Sequence, residues 1–159
     1  MLNVRLICVG NLKESYLREA LAEYVKRLGG MCRFSLIELK EARLPDTPSA
    51  AQIAAALEAE SHAILAEMPP RAYKIALCVE GRQLSSEELA GLLEKVSMQS
   101  GEMALVIGSS YGLADSVKTA CDMRLSVSML TFPHQLMRVL LCETLYRSLS
   151  INKGTKYHK

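Results

Sequence analysis

The sequence predicts an α/β fold in which a mostly parallel sheet carries helices on both of its faces. Short apolar runs alternate along the chain with segments whose apolar residues recur every three or four positions, and this alternation is typical of parallel strands joined by helices. A chain of 159 residues, half of them hydrophobic, is long enough to bury one core without disulfides or metals. We therefore expect a single domain over residues 1–159.

The first part of the chain is predicted to form three strands, over residues 4–9, 34–39 and 73–79. The first helix has an apolar face from Leu17 to Leu28 and should end at Gly29-Gly30. Two further helices each begin with a capping box, in which an N-terminal serine is followed three residues later by glutamine or glutamate. The pairs are Ser49 with Gln52 and Ser85 with Glu88.

The last third of the chain contains two breakpoints that predict the functional site. The apolar run 103–107 ends in the loop 108–112, and a short helix should follow over about 113–121. The run 125–130 reads as a fifth strand and leads into Thr131-Phe132-Pro133-His134, which opens a helix to about residue 149. Ligands bind at the carboxyl ends of strands in open α/β sheets, so the chemistry is expected where these two loops meet.

Charge and cysteine content narrow the class of protein. The net charge of +2 does not by itself indicate a nucleic-acid binder, although the C-terminal segment is locally basic. The five cysteines form no Cys-x-x-Cys pair, so we expect buried, reduced thiols in a cytoplasmic protein and no metal site. No run is long enough to cross a membrane, and the N-terminal residues show no signal-peptide pattern.

One motif leaves two interpretations open. Residues 108–112 fit Gly-x-Ser-x-Gly, the pattern of a serine hydrolase with its nucleophile at Ser110, and Asp122 and His134 follow in a suitable order. The alternative is a glycine turn that lets the backbone approach a ligand closely, and three fixed positions are weak support for the hydrolase. No phosphate-binding loop or dinucleotide-binding fingerprint fits this segment.

Several short segments, spread along nearly the whole chain, together match a known pattern. The most specific stretch is Leu130-Thr131-Phe132-Pro133-His134-Gln135 with Met137-Arg138. The others are Val9-Gly10, Leu12-Lys13-Glu14, Glu23-Tyr24, Lys26-Arg27-Leu28, Gly81, Leu84-Ser85-Ser86-Glu87, Val106-Ile107-Gly108, Gly112-Leu113, Glu143, Tyr146-Arg147 and Tyr157-His158. These segments resemble those of the small bacterial SPOUT methyltransferases, which methylate N3 of a pseudouridine in 23S ribosomal RNA.

The resemblance implies a trefoil-knotted α/β fold, a homodimer and S-adenosylmethionine as methyl donor. By the family's pattern, the cofactor is bound by Leu77, Gly108, Val127, Ser128, Met129, Leu130, Thr131 and Phe132. Two residues depart from the usual pattern. Ser109 stands where a second glycine is common, and Cys78 where an acidic residue is common.

The resemblance also directs attention to a set of histidines and cations near the end of the chain. Removal of the acceptor proton needs a base, for which His158 is the first candidate and His134 the second. Arg138 is a candidate for binding phosphates or stabilising the deprotonated base, and Arg147, Lys156 and Tyr157 are candidates for RNA binding. The expected partner is 23S rRNA in an assembled ribosome. A non-catalytic ribosome-binding factor remains an alternative.

Overall fold

The computed structural model describes all 159 residues and consists of five strands and five helices in strict alternation. The strands are β1 (Asn3–Val9), β2 (Arg33–Leu39), β3 (Tyr73–Arg82), β4 (Glu102–Ile107) and β5 (Met123–Leu125). The helices are α1 (Ser15–Gly29), α2 (Ala50–Glu67), α3 (Ser86–Gln99), α4 (Asp115–Ala120) and α5 (His134–Asn152).

All five strands belong to one parallel sheet, in the order β2-β1-β4-β3-β5. Helices cover both faces, which confirms the predicted architecture. Helices α1, α3 and α5 pack over the larger apolar core, in which Leu6, Leu105 and Leu145 are fully buried. Helices α2 and α4 cover the opposite face over a smaller core that includes Ile7 and Val106. None of the five helices is long and apolar enough to cross a membrane.

Both predicted capping boxes are present at the starts of α2 and α3. The Ser49 hydroxyl accepts a hydrogen bond from the Gln52 N–H at 3.2 Å, and the Ser49 N–H donates to Oε1 of Gln52 at 2.8 Å. Ser85 and Glu88 repeat the arrangement at 3.0 and 2.7 Å. These reciprocal bonds satisfy N–H groups that a helix start leaves free, which is why the local sequence located both starts correctly.

The cysteines are free thiols, as expected from their spacing. Cys8, Cys32 and Cys142 are buried in the larger core, while Cys78 and Cys121 are half-buried. Burial raises the pKa of Cys8 and of Cys142 to about 12. These two thiols therefore stay protonated near neutral pH and act as small apolar side chains.

The fifth strand differs from the prediction over residues 125–130. Strand β5 covers only Met123–Leu125, and the chain then becomes a loop. Its serines explain the difference, because the Ser126 hydroxyl donates to the Ser128 carbonyl at 2.8 Å and the Leu130 N–H donates to the Ser128 hydroxyl at 3.0 Å. Such side-chain bonds replace the bonds of a strand ladder. The apolar run is therefore a shaped loop and not a longer strand.

Arg138 joins the start of α5 to the carboxyl ends of β1 and β2. Its side chain is completely buried. Nη2 donates to the carbonyls of Val9 and Gly10 at 3.0 and 2.7 Å, and Nη1 forms an ion pair with Glu38 at 2.9 Å. Because β5 lies at the far edge of the sheet, the loop after it must cross the ends of β3 and β4 before α5 reaches this anchor.

Replacement of Arg138 by methionine should lower the free energy of unfolding by about 3 kcal/mol, because a buried charge that bonds two carbonyls and a carboxylate is lost. Urea unfolding measures the change. Arg147→Met is the matched control on the same helix. Its partly exposed ion pair with Glu143 should contribute no more than about 1 kcal/mol. Equal losses in the two variants would contradict the anchoring role of Arg138.

Candidate functional site

A cleft of about 740 Å³ opens at the carboxyl ends of β3, β4 and β5. Its walls come from residues 77–80 at the end of β3, the loop 107–113 after β4, and residues 125–134 between β5 and α5, except for Met129. Lys118 of α4 and Met137 of α5 complete the lining. The cleft therefore forms where the two breakpoints meet, at the edge of the sheet that the sequence indicated.

Two glycines allow the backbones around the cleft to approach one another. A Cβ at Gly108 would collide with the carbonyl oxygen of Gly112 and lie 3.0 Å from Cδ2 of Leu113. A Cβ at Gly81 would lie 2.6 Å from the carbonyl carbon of Leu125. Only glycine fits at either position. The tight loop after β4 and the contact between β3 and β5 thus depend on residues without side chains.

Seven of the eight residues named as cofactor contacts line this cleft. They are Leu77, Gly108, Val127, Ser128, Leu130, Thr131 and Phe132. Met129 lies in the same loop, but its side chain is 83% exposed and does not line the cleft. Exposed Tyr111, Val79 and Leu130 add an apolar rim around the opening. The cleft thus combines apolar walls with backbone polar groups, as small-molecule sites generally do.

The sequence analysis did not identify the ion pair in the cleft wall. Nζ of Lys118 lies 2.5 Å from Oε1 of Glu80, and both residues line the cleft. They are the only lining residues with a permanent charge, the remaining ionisable ones being Cys78, Tyr111 and His134. Lys118 lowers the pKa of Glu80, with smaller effects from its own backbone and from Arg124. The sequence shows these two residues only as a glutamate after a predicted strand and a lysine inside a predicted helix, 38 positions apart, which does not indicate that they pair.

His134 lines the cleft at the start of α5. Burial lowers its pKa below the ordinary value, Glu41 opposes this, and Arg138 and Lys13 reinforce it. The imidazole is therefore neutral near pH 7. A neutral imidazole at the wall of a cleft is chemically able to accept a proton.

The remaining named residues lie outside the cleft lining. Arg138 is the buried anchor described above. Nε2 of His158 lies 2.9 Å from Glu87 of α3, and its Nδ1 is buried without a partner. Tyr157 packs edge-on against Tyr146 with ring centroids 4.7 Å apart, and the guanidinium of Arg147 lies over the Tyr157 ring. Lys156 is exposed. The C-terminal tail, residues 153–159, thus packs against α3 and α5 and lies apart from the cleft of its own chain.

The hydrolase interpretation is not supported by the geometry. Ser110 is exposed in a turn, and α4 begins only at Asp115, so no helix follows the serine directly. Oδ2 of Asp122 accepts a hydrogen bond from the Lys74 N–H at 2.7 Å, near the opposite end of β3. Asp122 therefore cannot orient His134 as the acid of a catalytic triad does.

The two departures from the family pattern have different surroundings. Cys78 lines the cleft, whereas Ser109 is buried and also borders a small cavity beside Glu60. Burial raises the pKa of Glu60, and hydrogen bonds from the Ala42 N–H and the Ser109 hydroxyl partly offset this. The extra hydroxyl at position 109 thus helps to solvate a buried carboxylate of α2.

Comparison with known proteins identifies one family and a group of full-length relatives. A family model described as "Predicted SPOUT methyltransferase" matches residues 2–158. The chain is 44% identical over 159 residues to a Streptococcus thermophilus protein named ribosomal RNA large subunit methyltransferase H, covering 99% of this chain and 100% of that protein. A Clostridium novyi protein of the same name is 43% identical with the same coverage.

Solved structures show the same fold at lower sequence identity. A probable methyltransferase from Bordetella pertussis superposes with a TM-score of 0.58 at 20% identity, covering 92% of this chain and 95% of that one. A probable methylase family protein from Haemophilus influenzae superposes with a TM-score of 0.53 at 17% identity, covering 98% of this chain and 70% of that one. At such identities the likeness concerns the fold alone.

Gly108→Ala should lower the free energy of unfolding by about 1–3 kcal/mol, because its methyl group overlaps the Gly112 backbone. By the family resemblance the cleft is expected to bind S-adenosylmethionine, and the movement of the loop should weaken that binding. Urea unfolding and calorimetric titration measure the two effects. Gly91→Ala in α3 is the matched control. Nothing lies within 4 Å of a Cβ added at Gly91, so this variant should raise the free energy of unfolding by up to about 1 kcal/mol. Unchanged stability and affinity in Gly108→Ala would contradict the close approach.

The lowered pKa of His134 should make stability depend on pH. His134 binds a proton more readily in the unfolded chain than in the folded protein. The stability that the neutral imidazole contributes is therefore fully present above the ordinary pKa of 6.5. It is lost as the pH falls through the lowered folded value. His134→Gln should therefore reduce the drop in melting temperature between about pH 7.5 and about pH 5. His62→Gln, on the exposed surface of α2, should leave it unchanged. Identical profiles for wild type and His134→Gln would contradict this.

Proposed function

The chain belongs to the SPOUT methyltransferase family, and we propose that it uses S-adenosylmethionine to methylate N3 of a pseudouridine in the 23S rRNA of the assembled ribosome. The observation that carries this proposal is the full-length match, at 42–44% identity, to proteins named for methylation of large-subunit ribosomal RNA. Family membership and the parallel sheet are also consistent with the trefoil-knotted fold. Because the proposed substrate is part of the ribosome, we expect the protein to act in the cytoplasm.

The residues of the cleft fit S-adenosylmethionine, the donor that SPOUT methyltransferases generally use. The volume of about 740 Å³ falls in the range of small-molecule sites. Leu77, Val127 and Phe132 supply apolar wall for an adenine, and Gly108 allows the tight loop that forms the neighbouring wall. Glu80 and Lys118 supply one charge of each sign in the wall of the cleft, and the ligand carries groups of both signs.

When bound, S-adenosylmethionine supplies a methyl group made electrophilic by its sulfonium. The residues of the chain then have two tasks. The walls of the cleft exclude water and hold the reacting atoms in line, which lowers the entropic part of the barrier. A side-chain base removes the proton from the acceptor nitrogen.

We assign the base to one of two histidines. His134 already lines the cleft and is neutral near pH 7 because burial lowers its pKa. His158 does not line the cleft of its own chain, since Glu87 holds it against α3. It can serve only if the tail moves or if a second protomer presents it.

A homodimer would also enlarge the basic surface available for RNA, which is small on a single chain. With a net charge of +2, one protomer has little positive potential with which to hold RNA. Leu136, Met137 and Leu140 on α5 remain only partly buried, so this helix has apolar surface available for a partner copy. Two protomers would combine Arg147 of α5, and Lys156 and Tyr157 of the tail, with the rim of a neighbouring cleft. We propose this composite face as the RNA-binding surface.

Two experiments test the proposed function. Reverse transcription of 23S rRNA from cells lacking the gene should lose one stop, because methylation at N3 blocks the Watson–Crick edge of the base. Ribosomes from those cells should then accept labelled methyl groups from S-adenosylmethionine and the purified protein. Labelling of naked rRNA instead of ribosomes would reject the assembled substrate, and an unchanged pattern of stops would reject the reaction.

His158→Ala should lower methyl transfer by roughly a hundredfold if this histidine is the base. The same substitution should leave the melting temperature and the dimer mass unchanged, because the hydrogen bond that His158 makes is to the exposed carboxylate of Glu87. Methyl incorporation into ribosomes from the deletion strain measures the rate. Full activity of His158→Ala would transfer the role to His134.

Removal of the tail tests RNA binding separately. A cut after Ser150 would remove part of α5, because Asn152 belongs to this helix and its side chain donates to the Ala90 carbonyl at 2.9 Å. Lys153 likewise binds the Gly30 carbonyl. A cut after Thr155 spares these bonds and removes Lys156, Tyr157, His158 and Lys159. We expect a folded dimer that binds S-adenosylmethionine and does not methylate ribosomes. A shortened protein with full activity would contradict any role of the tail.

A further inference from the structure

The cleft is uncharged apart from one ion pair, and that pair lies on one side of it. Glu80 follows the part of β3 that pairs with β4, and Lys118 belongs to α4. His134 and Met137, on α5, border the cleft from the helix layer on the opposite face of the sheet. Within the cleft, positive and negative fixed charges therefore occur together and only near α4.

Both members of the pair keep capacity for a further ligand. The ammonium of Lys118 has three N–H donors, and one of them is directed to Oε1 of Glu80. The Lys118 side chain is 17% exposed and the Glu80 side chain 54%. Lys118 and Arg124 keep the pKa of Glu80 below its ordinary value, so the carboxylate is ionised when a ligand arrives. Neither charge is sealed from the cleft.

We propose that the Glu80–Lys118 pair binds the α-amino acid end of S-adenosylmethionine. The ammonium of Lys118 contacts the carboxylate of the ligand, and the carboxylate of Glu80 contacts its ammonium. The inference rests on the proposed function, which supplies the cofactor, and it adds which end of the ligand lies beside α4. Charge-assisted hydrogen bonds of both signs favour a zwitterion over any ligand that carries a single charge.

The rival explanation is a simple brace between β3 and α4. Exposed ion pairs contribute little to stability on average, so a brace predicts small effects on every ligand and recovery when the two charges are exchanged. A binding pair predicts selective effects on ligands with an amino acid end. The two explanations therefore differ in ligand dependence and not in the structure of the free protein.

A pair of ligands separates the two explanations. S-adenosylhomocysteine and 5′-methylthioadenosine share the adenosine and an uncharged thioether, and only the first has the amino acid end. Calorimetric titration of both into wild type, Glu80→Gln and Lys118→Gln gives the contribution of that end in each protein. We expect each variant to lose at least about tenfold in affinity for S-adenosylhomocysteine, equivalent to about 1.4 kcal/mol. Affinity for 5′-methylthioadenosine should stay within about twofold.

The exchange variant Glu80→Lys with Lys118→Glu is the decisive protein. It keeps an ion pair between β3 and α4 but reverses the charge at each position. We expect it to melt like the wild type and still to lose at least about tenfold in affinity for S-adenosylhomocysteine. Arg82→Gln is the matched control, because Arg82 pairs with Glu88 at 4.0 Å outside the cleft lining. It should change neither affinity.

The possible results are distinct. Recovery of S-adenosylhomocysteine binding in the exchange variant would overturn the inference in favour of a brace. Equal losses for both ligands would also overturn it, since Glu80 would then contact the ribose or adenine. If the wild-type protein binds neither ligand, the proposed cofactor itself fails, and the inference fails with it.

Discussion

The buried guanidinium of Arg138 is the interaction on which the arrangement of the cleft depends. It reaches back from the second turn of α5 to the carbonyls of Val9 and Gly10 and to the carboxylate of Glu38. Those groups end the two strands farthest from β5. A charge removed from water needs such partners, because an unpaired buried charge costs several kcal/mol. Both ends of the loop between β5 and α5 are thereby fixed, one in the sheet and the other at Arg138.

The loop stretched between these two points forms one wall of the cleft. Ser126 and Ser128 bond to the backbone of the loop itself and give it a defined shape. Gly81 lets β3 approach the start of this loop, and Gly108 allows the tight turn after β4. Around these backbone contacts, side chains line the cleft with apolar surface and one ion pair. Such a site recognises the shape of a small ligand and leaves few functional side chains for a motif search to find.

The cleft and the tail are separate parts of one protomer. The cleft holds His134, Glu80 and Lys118, whereas Tyr157 and His158 lie against α5 and α3. A methyltransferase for a large RNA needs both a donor site and a surface that positions the acceptor. The separation within one chain is the physical reason for proposing a dimer, in which surfaces that do not meet within a protomer can meet between protomers.

The sequence by itself determined the class of fold, the starts of two helices and the edge of the sheet that carries the cleft. These features depend on local periodicity, on capping boxes at Ser49 and Ser85, and on where apolar runs stop. Only the tertiary structure decided that residues 126–130 form a loop, that Arg138 is buried, and that Glu80 pairs with Lys118. The loop follows from serine bonds to backbone groups two positions away, but the other two outcomes depend on residues 129 and 38 positions apart in the chain. No local pattern contains that information, because an arginine in a helix reads the same whether it faces solvent or the end of a distant strand.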